Sequence, residues 1–367
     1  MSLLKTLSHS QLLRAALNWQ PADEFRLLLA ERELFLNEAK HRFAAEQPAH
    51  GSLRDYKRAL RRHRVTYAEY MYSYEYWRLD ETERDQFIST SEVQCIYRKA
   101  GDAEVRRIFH NKPLFLSTFQ PFVQRKWAEV ARISFEEFRE MVLQSDCVAK
   151  PTEGTRGAGI EKVHYQDDNT LKNLYRRYAE EGYLLEECVQ ACAETSAFHP
   201  QSLNTIRVVT ISNQDRCEIF GALFRMGAHG SFIDNTHGGG IYAPINVETG
   251  EVITDGIDAQ NRHYAAHPDT GIPIKGFVIP HWADILATCR RASQQIPNIL
   301  FAGWDLCLLP DGSVEIIEGN HAPDFDGGMQ APFKTGVKYR FQQVVKEVLG
   351  FDPLPLISIF GQTKKRG

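Results

Sequence analysis

The stretch GWDLCLLPDGSVEIIEGN, residues 303–320, limits the possible folds more than any other part of the chain. Two apolar arms flank Asp311-Gly312, a strong hairpin signal. Each arm carries an acid, Asp305 on the first and Glu318 on the second. If Asp311 and Gly312 form a two-residue turn, Leu309 faces Val314, Cys307 faces Ile316 and Asp305 faces Glu318. Asn320 then projects from the same side as Glu318, because side chains alternate along a strand. Opposed Cβ atoms lie about 4.5–5.5 Å apart, where like charges destabilise a sheet. Such a pair needs a cation between its members or a shared proton. Carboxylate and amide oxygens are hard ligands and suit Mg²⁺. A loop longer by one residue would slip the register and put the acids on opposite faces. The hairpin alone therefore leaves two readings, a metal-binding face or an acid turned to solvent.

The chain has 367 residues, 43% hydrophobic and 25% charged, which suits two or three domains with substantial cores. A formal net charge of -4 argues against bulk binding to nucleic acid or a membrane surface. The basic clusters RALRRHR at 58–64 and KKRG at the C-terminus read as solvated faces. Seven scattered cysteines with no CxxC pair indicate neither a zinc site nor a disulfide framework, and fit reduced thiols in a cytoplasmic protein. The opening MSLLKTLSHSQLLRAALNWQ is too polar for a signal peptide. No run approaches the roughly 18 apolar residues that mark a membrane span, so no membrane insertion is expected.

Residues 1–85 read as helical, with three-to-four spacing of apolar residues in QLLRAALNW and EFRLLLAERELFLNEAKHRF. QPAHGS at 47–52 is a break, and YAEYMYSYEYW at 67–77 reads as packing. From about residue 90, strands and helices alternate. DCVAK ends a strand at Lys150, IEKVHY and YLLEECV are strands, and NTIRVVTIS and RCEIFGALFRMG are strands joined by a turn at 213–215. DNTLKNLYRRYAEEG reads as a helix capped by Asp or Asn and ended by Gly. HWADILATCRRASQQI is an amphipathic helix, and a last helix is expected at roughly 336–349. The mixture reads as α+β.

Between two of these strands lies KPTEGTRGAGI, with Gly154, Gly157 and Gly159. Glycines let a backbone approach a ligand, so successive N–H groups can converge on phosphate oxygens, with Lys150 adding a fixed charge. The order is wrong for a Walker loop and the spacing fails the dinucleotide fingerprint. A mobile surface turn is the plain alternative. The loop has company, however. Lys112 in HNKPLF precedes it, and LLEECV, Arg207 in NTIRVV, Arg225 in FR, DNTHGGG at 234–240 and the acidic hairpin follow. That order suggests a bound nucleoside triphosphate.

The set NKPLF, KPTEGTRGAGI, YLLEECVQ, NTIRVVT, FRMG, DNTHGGGIYAPIN, HPDTG and GWDLCLLPDGSVEIIEGN resembles the sugar-transfer-associated ATP-grasp family over roughly residues 90–350. The resemblance implies an α+β ATP-grasp fold, two α+β lobes gripping ATP, with an N-terminal helical extension. Residues 1–85 would be that extension, 86–185 the N-terminal region and small lobe with its Gly-rich lid, and 186–367 the large lobe with the Mg²⁺ and substrate site. Lys112 and Lys150 would contact the phosphates of ATP, and the lid, with Gly154, Thr155, Gly157 and Gly159, would close over them. Glu186, Glu187, Cys188 and Val189 would hold adenine, largely through backbone groups. Cys188 stands where a larger apolar or aromatic residue is expected; neither it nor Cys192 is assigned as a nucleophile. Arg207 would face the γ-phosphate or an acyl phosphate. Asp305, Glu318 and Asn320 fall on the family's Mg²⁺ positions.

The implied chemistry joins a carboxylic acid to an amine through an acyl phosphate, with no protein nucleophile. Positioning and charge stabilisation carry it, through Mg²⁺, Lys150 and Arg207. Arg225 could bind a carboxylate bidentately. Asn235 and His237 in DNTHGGG could border the second substrate, as could His321, and HPDTG reads as a turn before it reads as a contact. The family association points to small-molecule or glycan carboxylate and amine substrates, in polysaccharide biosynthesis. The N-terminal helices would serve a homodimer or a partner enzyme. Two alternatives stay open: a kinase acting on a sugar or polyol hydroxyl, and a nucleotide-binding protein without turnover.

Overall fold

The computed structural model describes residues 24–153, 159–231, 234, 238–324 and 326–357. Expectations that fall on residues 1–23, the glycine loop at 154–158, Asn235 and His237 lie outside these described residues. The chain forms two compact units, residues 1–101 with 324–367, and residues 102–323.

In the first unit the helix Glu24–Glu46 is separated from Leu53–His63 by the break read from QPAHGS. Tyr56, Tyr67, Tyr70, Tyr74 and Tyr76 are all fully buried in one aromatic core with Phe35 and Phe87. The segment at 67–77 is thus packing, as expected, but its helix is irregular. A π-helical turn at Glu69–Ser73 gives way to a 3₁₀ turn at Tyr76–Arg78, and Glu75 between them has φ +54°. Buried phenols must find acceptors: Tyr76 donates to the Arg84 carbonyl at 3.0 Å and Tyr56 to that of Val65 at 3.2 Å, while Tyr67 and Tyr70 reach the carboxylates of Glu46 and Asp55 at 2.9 and 2.8 Å. Buried Gln330, far along the chain, accepts from Ile88 N at 3.0 Å and donates to Ile88 O at 2.8 Å. The last long helix, Lys338–Leu349, belongs to this unit too.

The second unit holds two antiparallel sheets. The smaller one comprises β1 (Trp127–Glu129), β2 (Cys147–Pro151), β3 (Glu161–Val163) and β4 (Tyr183–Glu187), in the order β1-β4-β2-β3. Between β3 and β4 runs the helix Asp168–Glu181, capped by Asp167 and ended by Gly182 at φ +72°. The larger sheet comprises β5 (Ile206–Ser212), β6 (Cys217–Met226), β7 (Ile241–Ile245), β8 (Gly256–Ile257), β9 (His263–Tyr264), β10 (Phe301–Leu308) and β11 (Val314–Asn320). Its order is β11-β10-β5-β6-β7-β8-β9. One face of its central strands is core, with Trp304, Val208 and Phe224 buried, and the helix Trp282–Ser293 contributes Ile285 and Cys289 to the same cluster.

The β10–β11 hairpin corrects the expected turn. Leu309 N donates to Ser313 O at 2.8 Å and Gly312 N to Leu309 O at 3.0 Å, so the loop is three residues, 310–312, and not two. This is the three-residue hairpin whose last loop residue is left-handed, and Gly312 has φ +83°. Leu308 therefore faces Val314 and Cys307 faces Glu315, where Val314 facing Leu309 and Ile316 facing Cys307 had been expected. A β-bulge then intervenes: Leu306 faces Ile316 but Asp305 faces Glu318, leaving Ile317 unopposed. The extra loop residue and the bulge cancel. Asp305 and Glu318 end up directly opposed, as the two-residue turn had implied, for a different reason.

Replacing Gly312 by alanine forces a side chain into the left-handed region and brings its Cβ within 2.9 Å of the His281 ring. A loss of about 1–2 kcal/mol of unfolding free energy is expected. Urea denaturation checks it; an unchanged midpoint would contradict the loop assignment.

Candidate functional site

Opposed residues in a ladder share a face, and so do residues two apart along a strand. Asp305 faces Glu318 on β11 and Arg207 on β5, and Asn320 faces Gly303 two residues before Asp305. Arg207 faces Leu223 on β6, and Arg225 lies two residues beyond Leu223. The face opposite the core thus carries Glu318, Asn320, Asp305, Arg207 and Arg225 across four adjacent strands.

The like-charge problem at Asp305 is met by guanidinium groups. Arg207 Nε and Nη2 donate to its two oxygens at 2.5 and 2.8 Å, and Arg225 Nη1 reaches Oδ1 at 2.8 Å. Burial alone would raise the Asp305 carboxyl, but the two arginines hold it down at about 2. Burial likewise disfavours charge on Arg225, and Asp305 and Asp234 more than restore it. Asp234 accepts from Thr205 N at 2.7 Å and from Arg225 Nη2 at 3.3 Å. It ties the start of the DNTHGGG segment to β6, a role its sequence context did not signal. HPDTG is a turn: Gly271 N donates to His267 O at 2.8 Å. Its His267 Nε2 lies 2.7 Å from Gly227 O, and Asp269 accepts from His229 N at 2.7 Å, which braces the approach to the same segment.

Glu318 is exposed, and among the described residues its carboxylate makes no hydrogen bond or ion pair. Asn320 Oδ1 accepts from Ala322 N at 3.0 Å. His321 is packed against His110 with ring centroids 4.6 Å apart. Burial, His110 and Arg106 push its imidazole down to about 3, so it is neutral near pH 7.

The smaller sheet supplies the lysines. Lys150, on β2, pairs with Glu186 of the neighbouring β4 at 3.0 Å. Glu186 is buried, which alone would raise its carboxyl; Arg125 and Lys150 hold it at about 2. Lys112 opens the helix Lys112–Thr118 and its Nζ donates to Pro151 O at 2.9 Å. Burial lowers its pKa and Lys150 adds to the lowering, while Glu318 and then Glu186 oppose it. Side chains join the lysine side to β11: Glu186 holds Lys150 at 3.0 Å, and Arg125 bridges Glu186 to the carbonyl of Ile317, next to Glu318. Gly159 closes the glycine loop: its φ is +75°, and a Cβ there would come within 2.9 Å of the Pro151 ring. Gly154, Thr155 and Gly157 lie outside the described residues.

In the segment at 186–189, two amides are already engaged, Glu187 N by Lys126 O at 2.9 Å and Cys188 N by Asp146 O at 2.8 Å. The Val189 amide makes no backbone hydrogen bond among the described residues. Cys188 is half-buried and its thiol is raised by burial, which suits a wall and not a nucleophile. The residue that sequence reading missed here is Arg125. Its side chain is 3% exposed and bonds Glu186, Glu315 and two carbonyls of β11.

The pattern of the family described as sugar-transfer associated ATP-grasp matches residues 111–346, more than half of the chain. The chain belongs to that family. No curated protein matches it. Among solved structures it is similar to the ATP-grasp ligase PsnB complexed with minimal precursor, Mg and ADP, at 14% identity and TM-score 0.39, covering 64% of this chain and 56% of that one. An L-amino acid ligase from Bacillus licheniformis gives 14% identity and TM-score 0.40 over 70% of this chain and 48% of that one. The ADP complex of purK, N5-carboxyaminoimidazole ribonucleotide synthetase, gives 10% and 0.40 over 62% and 48%. The chain spans about half the length of these structures. Among the described residues, no helix is long and apolar enough to cross a membrane.

The Asp305→Asn protein leaves two partly buried arginines short of their counter-charge and is expected to lose about 3 kcal/mol. Because the folded-state carboxyl sits at about 2, below its unfolded value, the wild-type advantage is complete above the unfolded pKa. It shrinks as pH falls toward 2. Denaturation of both proteins as a function of pH checks this; an advantage independent of pH would contradict it.

Proposed function

We propose that the protein is an ATP- and Mg²⁺-dependent ligase that joins a carboxylate to an amine. The observation that carries this reading is the meeting of two unlike charge sets in one place. Hard oxygen donors stand at Glu318 and Asn320; Lys150 is tied through Glu186 and Arg125 to the carbonyl of Ile317, one residue before Glu318, and Lys112 bonds the Pro151 carbonyl next to Lys150. A triphosphate with its divalent ion is the ligand that such a pairing fits.

The donor set fits a hard cation. The Glu318 carboxylate is exposed and without a protein partner among the described residues. Asn320 Oδ1 uses one lone pair on Ala322 N and retains another. Asp305 has about four acceptor positions and the arginines take three of them, so it can offer one more. Mg²⁺ commonly takes one or two carboxylates and completes its shell with substrate phosphates and water. When bound, Mg²⁺ would neutralise phosphate charge.

The chain's own groups do the rest. Lys112 and Lys150 bind the phosphates. Arg207 and Arg225, fixed by Asp305, present their remaining N–H donors to the transferred phosphoryl group and to the substrate carboxylate. A carboxylate oxygen attacks the γ-phosphorus, and the bond to the leaving ADP oxygen breaks. The amine nitrogen then attacks the acyl carbon, phosphate departs, and the nitrogen loses a proton. With the guanidinium groups already oriented, little reorganisation is needed as charge shifts. Asn235 and His237 are proposed to border the amine or acid. The substrate class is proposed from the family's association with sugar transfer: a glycan, sugar or amino-acid carboxylate and an amine.

The test is release of ADP and phosphate with candidate acid–amine pairs. Glu318→Gln and Lys150→Met are each expected to lower turnover on the order of 100-fold or more. Either variant turning over at the wild-type rate would overturn the assignment, and a stable phosphoester without free phosphate would point to a kinase.

A further inference from the structure

We infer that Arg125 is a positioning residue that fixes the lysine side and the acidic side of the site to one another. This rests on the nucleotide reading given above, and concerns how that site is held.

Arg125 lies just before β1, and its fork is engaged on both sheets. Nε donates to Glu186 of β4. Nη1 donates to Glu315 Oε1 at 2.6 Å and to Ile316 O at 3.0 Å. Nη2 donates to Ile317 O at 3.0 Å, and the Arg125 amide adds a bond to Glu315 at 3.2 Å. Toward the smaller sheet, the other Glu186 oxygen receives Lys150 at 3.0 Å, so the lysine is placed through a carboxylate that Arg125 holds.

Toward the larger sheet, the two carbonyls belong to the bulge. Ile317 is the residue with no opposite number on β10. A bulge leaves backbone groups out of the ladder, and Arg125 takes up the carbonyl of the extra residue and that of its neighbour. Without the bulge, the register set by Leu306 and Ile316 would put Ile317 opposite Asp305 and turn Glu318 to the core side. The guanidinium that places Lys150 therefore also keeps Glu318 and Asn320 on the charged face.

Two features argue for placement over mere stability. The group is charge-balanced, Arg125 and Lys150 against Glu186 and Glu315, and the first, third and fourth are nearly fully buried. An apolar replacement of such a network commonly serves stability as well. What it would not supply is a rigid, directional link between two sheets. Lysine would not supply it either, since only a planar fork reaches two carboxylates and two carbonyls at once.

The test uses the charge-neutral double variant Arg125→Met/Glu315→Gln, which leaves the Glu186–Lys150 pair intact. Two readouts are taken on the full chain. One is the rate at which Lys150 is acetylated by acetic anhydride, followed by peptide mass spectrometry, with exposed Lys126 as the internal reference. The other is the factor by which Mg²⁺ raises ADP affinity in calorimetry. Both are expected to change by about 10-fold: Lys150 reacts faster relative to Lys126, and the Mg²⁺ enhancement is lost. Arg125→Lys, which keeps the charge and loses the fork, should move both in the same direction and answers the question if the double variant does not fold. Wild-type labelling and wild-type Mg²⁺ enhancement in a folded variant would overturn the inference. A wild-type chain that binds no ADP, with the labelling change present, would overturn the nucleotide reading and support the coupling.

Discussion

A carboxylate buried on a sheet, directly opposite another carboxylate, is the constraint on which the site depends. Asp305 is tolerated there because Arg207 from the next strand and Arg225 from the one beyond reach its oxygens at 2.5–2.8 Å. Burying three charges costs solvation, and the geometry that offsets the cost also fixes the arginines. The exposed partner, Glu318, then remains available to a ligand. One face of the sheet is thereby committed to charge, and the other, with Trp304 and Val208, to the core.

The acidic pair was legible in the sequence, through two irregularities that happen to compensate. Asp-Gly between apolar arms announces the hairpin, but not that Pro310 joins the loop or that Ile317 bulges. Each changes the register by one, and only their sum preserves the facing of Asp305 and Glu318. Local signals elsewhere held because their physics is local. Asp167 and Gly182 bound their helix by capping and left-handed geometry, and Asn213 turns β5 into β6 by accepting from the amides of Asp215 and Arg216.

What escaped the sequence is what depends on distant neighbours. Nothing around Arg207 shows that a residue 98 positions away will occupy part of its fork. Arg125 sits in FVQRKW, a stretch with no motif, and its partners come from positions 61 and 190–192 residues on. The aromatic segment at 67–77 was legible as core, but its π-helical and 3₁₀ turns and the left-handed Glu75 were not. Gln330, joined to Ile88 across 242 residues, shows why the chain's last part and its first belong to one unit.

The charged face of β10 and β11 is proposed to receive the divalent ion of a bound nucleotide. A crystal structure of the protein grown with a non-hydrolysable ATP analogue and Mn²⁺, with the metal located by its anomalous signal, addresses it directly. The ion is expected at about 2 Å from oxygens of Glu318 and Asn320, with the phosphates on Lys112 and Lys150. An ion bound elsewhere, or a triphosphate lying away from these side chains, would contradict it.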